Sequence, residues 1–270
     1  MQQPTDHEAE RTAHRLQLPR STQPQDILAM IRNVRPEATL QDGMLDLGDG
    51  ARMVQDSDPR RSGRWTVEVP RVREDPAPEG MGDSHDYAAA FPEGLPFGIE
   101  RDVLDLCWAL GRRLYGAVVT DSGVRLEPHP HHVRDLIVVS PHRVDATELA
   151  ELLAMVEPDV EYVGELVAGA ERYALTFPLT EDAIEVRVGE RSRPTALRAQ
   201  RWIDDSVDYE IVHVTADPEE DSLARPDEDV RARWGEAYAR IGRLAAVLAE
   251  NVGGYVVDRE GFLVAPEDLA

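Results

Sequence analysis

Apolar residues recur at helical spacing in two long stretches. In ERDVLDLCWALGRRLY they are Val103, Leu106, Cys107, Leu110 and Leu114. In the stretch from Asp227 to Val252 they are Val230, Trp234, Tyr238, Ile241, Leu244, Ala245 and Leu248. One apolar stripe per helix predicts two amphipathic helices, each burying one face. Asp227, Glu228 and Asp229 place acid in the first turn of the second, where the helix dipole favours it. Two shorter helices are predicted at ILAMI (Ile27 to Ile31) and LLAMV (Leu152 to Val156). Asp145 and Glu148, spaced as in a capping box, open the latter. Between the short and long helices the pattern becomes that of strands: MLDLGDGARMVQ and RWTVEVPRV, then RYALTFPL, AIEVRV and DYEIVHV.

These elements repeat. GAVVTDSGVRLEP begins at Gly116 and GYVVDREGFLVAP at Gly254, an offset of 138 that also relates Gly123 to Gly261 and Pro128 to Pro266. Each reads as a hairpin, a short apolar strand turning at glycine, and each follows one of the long helices. Upstream, ILAMI and LLAMV are offset by 125, and each follows a strand-like piece ending in proline, HRLQLP and DLIVVSP. The growing offset puts extra residues in the second copy, around Glu190 to Asp205. Each copy then runs strand, helix, two or three strands, polar loop, long helix, hairpin. The expected fold class is therefore α+β: two tandem ferredoxin-like modules with an added terminal strand, antiparallel sheets with the helices on one face, and a pseudo-two-fold arrangement. The predicted divisions are a disordered tail over 1–12, a first module over 13–132 and a second over 133–270.

The alanine-rich helix leading into GGYVVDREGFLV, together with DLIVVSPHRVD, resembles duplicated α+β proteins of high-GC bacteria. The resemblance covers most of the chain beyond residue 13. It implies the fold and a cytoplasmic location, and it brings no catalytic residues.

Composition narrows the function. The 29 basic residues are all arginine and face 52 acidic ones, a net charge of −23. The absence of lysine excludes Schiff-base chemistry and a lysine-type phosphate loop. The charge repels nucleic acid and anionic membranes and favours a partner with a basic surface. The first residues hold no apolar run of a signal peptide, and no stretch reaches the roughly 20 apolar residues of a membrane helix. A cytoplasmic protein is expected.

Four groups of residues are candidates for chemistry. His129, His131 and His132, with Glu127 and His142 nearby, offer imidazole ligands to zinc or a similar metal, yet prolines at 128 and 130 extend the chain and turn alternate side chains apart. A polar linker with solvated histidines is the plainer expectation there. Cys107 lies within a helical apolar stripe and reads as a core residue. Asp204, Asp205, Asp208 and Glu210 cluster near a strand start but are a few among many acids. Asp217, Glu219, Glu220 and Asp221 form an acidic run suited to docking a basic partner. The loop from Arg73 to Gly98 is longer than ordinary connections, a length that goes with function or disorder. GxGxxG, GxSxG, HExxH and CxxC are all missing. The favoured reading is a non-enzymatic acidic binding or adaptor protein, immunity-like or a scaffold, with no cofactor. A metal-dependent hydrolase using the histidine cluster and a small-molecule sensor are the alternatives.

Overall fold

A computed structural model describes residues 11–78, 83–158, 172–189 and 192–269. The chain forms two compact units divided between Pro130 and His131. Both are mixed α+β, and each holds one antiparallel sheet.

The first unit runs β1 (Arg11–Gln17), α1 (Pro24–Ile31), β2 (Thr39–Gln41), β3 (Met44–Gly48), β4 (Ala51–Gln55), β5 (Arg64–Pro70), α2 (Tyr87–Ala90), α3 (Gly98–Arg113), β6 (Ala117–Val119) and β7 (Arg125–Leu126). Its sheet order is β2-β3-β4-β5-β1-β6-β7. The second unit runs β8 (Leu136–Ser140), α4 (Ala146–Ala154), β9 (Tyr173–Pro178), β10 (Ala183–Val188), β11 (Val207–Val214), α5 (Glu228–Val252) and β12 (Tyr255–Asp258), in the order β12-β8-β11-β10-β9. Read outward from the first strand, β3-β4-β5-β1-β6 and β9-β10-β11-β8-β12 are the same sequence of neighbours.

The registers agree as well. Leu16 of β1 lies opposite Trp65 and Val118; Val138 of β8 lies opposite Tyr209 and Val256. Val67, Met53 and Leu45 follow across the first sheet, and Ile211, Val186 and Leu175 across the second. Every one of these residues is buried. Period-two alternation explains why: each strand turns alternate side chains to one face, and that face is the apolar one. In the second unit α4 and α5 both pack there, contributing Leu149 and Leu153, and Ile241, Leu244, Ala245 and Leu248.

The ferredoxin-like expectation needs an amendment. A βαββαβ unit sets its first and third strands parallel, whereas every pair here is antiparallel. The extra strand sits in the meander, so its last strand returns beside the first and runs against it. β5 and β6 are thus parallel to each other on either side of β1, and α3 carries the chain across; α5 does the same between β11 and β12. Of the expected terminal tail, Arg11 and Thr12 already belong to β1, and the rest lies outside the described residues.

The helix-to-hairpin junctions match hydrogen bond for hydrogen bond. The Gly116 amide donates to the Gly111 carbonyl and the Gly254 amide to that of Ala249. A Cβ at Gly116 would stand 2.4 Å from the Gln17 carbonyl oxygen, and one at Gly254 2.8 Å from that of Val139, so the neighbouring strand leaves room only for glycine. Beyond each strand the Gly123 amide donates to Thr120 and the Gly261 amide to Asp258, both 2.9 Å. The Thr120 hydroxyl and the Asp258 carboxylate each accept the amide four residues on. Asp145 and Asp227 cap α4 and α5, accepting from the Thr147 and Glu148 amides and from the Val230 amide.

Behind the sheets the units differ. The extra residues of the second unit, described from Ser192 onward, lay Leu197 and Ile203 over Val139 and Val257, with Ile137 and Trp202 packed alongside. The corresponding face of β1, presenting Arg11, Ala13 and Arg15, is exposed. The side of the sheet away from the helices is therefore open along β1 in the first unit and covered in the second.

Candidate functional site

Among the described residues two buried polar centres and one cavity are candidates for chemistry. In the first unit β1 presents His14 inward, wholly buried. Its Nδ1 accepts from the Asp121 amide at 3.0 Å, so the proton sits on Nε2, which donates to Glu100 Oε1 at 3.1 Å. Glu100, buried in the first turn of α3, also accepts from the Val72 amide and from both Nε and Nη2 of Arg73. Arg73 Nη2 bridges onward to Asp121 Oδ2, which takes the Thr12 hydroxyl as well. Burial works to raise the Asp121 carboxyl; the Thr12 hydroxyl, His14 and Arg73 outweigh it and hold the carboxyl below its ordinary value.

This network fastens the long loop to the sheet. Arg73 pairs with Pro96 in an isolated bridge and its guanidinium lies 4.2 Å above the Phe91 ring. Further along, Tyr87 is buried and donates to Asp105, and the His85 ring lies 4.7 Å from that of Trp108. The described parts of the segment from Arg73 to Gly98 are therefore ordered by packing. Between the loop and the hairpin lies an open cavity of about 540 Å³, lined by Arg71, Arg73, Phe91, Glu93, Asp121 and Ser122 among others.

In the second unit β11 presents His213, also buried. Its Nδ1 accepts from Arg134 Nε at 2.9 Å, and its Nε2 donates to Asp182 at 3.0 Å. Burial lowers the imidazole pKa, and the Arg134 charge lowers it further against the pull of Asp182. Arg134 lies 4.4 Å over the Trp234 ring.

The acidic run stands beside this centre. Asp217 caps the short turn Pro218–Ser222, accepting from the Glu219 amide. Glu220 pairs with Arg233 and Asp221 with Arg134. Two of the four predicted docking acids are thus tied to the protein's own arginines, while Asp217, Glu219 and Asp221 remain on the surface. Asp227, Glu228 and Asp229 extend that exposed acidic rim.

The histidine cluster spans the division between the two units, but its histidines are not the solvated ones expected there. His131 and His132 are half-buried, their rings resting on Tyr238 and Trp234 of α5. Aromatic packing draws them onto the helix, which a reading of local polarity misses. His129 is half-buried too. Among the described residues no group of three or more His, Cys, Asp or Glu is placed to hold a metal. Cys107 is buried in α3, and burial pushes its thiol up to about 12. Asp208 is buried and accepts from the Ser192 amide, whereas Asp204 and Asp205 are exposed. No helix among the described residues is long and apolar enough to cross a membrane.

The partners of His14 lie 86 and 107 positions away, and those of His213 lie 31 and 79 away. No motif joins them, so sequence reading passed over both centres. No protein-family model, curated protein or solved structure matches the chain.

Proposed function

We propose that the chain is a non-enzymatic acidic adaptor, built from one duplicated βαβββαβ unit, whose second unit engages a basic surface of a partner protein. The duplication is supported by the common strand order, the common register and the matched junctions at Gly116 and Gly254. The binding reading is carried by the distribution of charge. The second unit has 30 acidic residues against 14 arginines, a net of −16; the first has 22 against 15, a net of −7. A surface so biased steers a basic partner to itself and loses that advantage as salt rises. The histidines at the two polar centres have both ring nitrogens engaged within the fold, which suits a structural role.

The test uses a labelled Arg/Val-alternating decapeptide as the basic probe. The full chain binds it saturably at about 20 mM salt and at least about tenfold more weakly at about 200 mM. Glu219→Arg with Glu228→Arg weakens binding by a similar factor. Binding that ignores both salt and charge reversal overturns the reading. A small-molecule sensor is the second reading, carried by the cavity beside Arg73 and Phe91; a saturable thermal shift with small carboxylic acids or amines would move the assignment there.

A further inference from the structure

The exposed back of the first sheet carries the opposite charge to the body. Its outward side chains are Arg52 on β4, Arg64, Thr66 and Glu68 on β5, Arg11, Ala13, Arg15 and Gln17 on β1, and Arg125 on β7, while Ala117 and Val119 of β6 on the same face are buried between them. Register places Thr66, Arg15, Val119 and Arg125 in one row across four adjacent strands. Three acids share the face. Glu68 takes Arg52 at 2.6 Å and approaches Arg11 at 3.9 Å, Glu127 takes Arg125, and Asp46 stands opposite Arg52. Arg15 and Arg64, at the centre, form no ion pair among the described residues.

The second unit shows what this position in the fold accommodates. The corresponding face of β8 and β12 is apolar, and the chain covers it with Leu197, Trp202 and Ile203. The first unit has no such insertion, and its face has arginine and glutamine where the other has isoleucine and valine: Arg15 stands where Ile137 does, Gln17 where Val139 does.

We propose that the open face of β4, β5, β1 and β7 is a docking surface for an acidic segment of a partner protein, whose carboxylates meet Arg15 and Arg64 at the centre and Arg11 and Arg125 at the margins. Arginine suits this role because its planar fork takes a carboxylate bidentately. Arg15 and Arg125 lie two strand spacings apart, about 10 Å, a distance three residues of extended chain span. A polyanion is the wrong occupant. The unit's net charge of −7 and the chain's −23 repel a long row of phosphates, whereas a short segment with few carboxylates meets mainly the local arginines. The surface belongs to the first unit and the acidic rim to the second, so it gives the proposed adaptor a second docking site of opposite polarity.

A fluorescein-labelled Glu/Val-alternating decapeptide tests it on the full chain. Saturable binding is expected at about 20 mM salt, weakened at least about tenfold by Arg15→Glu with Arg64→Glu. Both side chains are exposed, so the melting temperature of that variant stays near the parent's, and its binding of the basic decapeptide is unchanged. The proposal fails if the parent shows no saturable binding of the acidic peptide, or if the variant binds it as well as the parent. It also fails if single-stranded DNA of equal charge binds the same arginines as tightly. Loss of basic-peptide binding alone would sink the acidic-rim reading and leave this one standing.

Discussion

His14 and His213 are both buried, both donate from Nε2 to a carboxylate, and both accept at Nδ1 from a nitrogen of the protein. They do not occupy corresponding places. By register the position of His14 in the second unit belongs to Leu136, and the position of His213 in the first belongs to Val69. The apolar registers across the two sheets coincide residue by residue, and the polar centres coincide nowhere. A shared core tolerates replacement of one apolar side chain by another of similar volume. A buried polar group needs its partners, and those partners come from the first turn of α3 and from loops that differ between the units. The two units therefore have matching apolar registers, while each buried polar centre belongs to one unit alone.

Glu100→Ala breaks the comparison most severely. It strips acceptors from Arg73, His14 and the Val72 amide at once, and removing one partner of a buried ionic cluster costs about 3–5 kcal/mol. Chemical denaturation measures it. A loss under about 1 kcal/mol would show that the loop from Arg73 to Gly98 is not fastened by this network.

Acid probes the other centre. The His213 pKa is lowered by folding, so the folded state favours the neutral ring. Its contribution is complete above the unfolded value of about 6.5 and is lost as the pH falls below it, at no more than about 1.4 kcal/mol per pH unit. Denaturation of the parent and of His213→Gln between pH 7.5 and 5 isolates the term. The parent loses more stability than the variant over that range, and parallel losses would remove His213 from the acid response.

The smallest effect lies at the junctions. Tyr115 and Gly253 correspond, both in the left-handed region, with φ of 53° and 66°. Tyrosine is strained there and glycine is not. Tyr115 is 80% exposed, so its ring contributes little packing to offset the strain. Tyr115→Gly should stabilise the protein by about 1 kcal/mol and Gly253→Ala destabilise it by about as much, read as opposite shifts in melting temperature. Shifts of the same sign would mean that the two junctions are alike only in hydrogen bonding.

What the sequence by itself determined is local and periodic. The stripes of α3 and α5, the capping Asp145 of α4, the acids at the start of α5, the glycines at 116, 123, 254 and 261 and the extra residues of the second unit could all be read without coordinates, because backbone geometry and side-chain alternation act over a few residues. The tertiary structure alone decided the rest. The meander's parity made every strand pair antiparallel, aromatic rings drew His131 and His132 onto α5, and residues as much as 107 positions apart met at His14. It also decided that one sheet face is covered and the other left to arginine. Burial and charge pairing act through space between chain segments with no fixed spacing, so no periodicity along the chain records them.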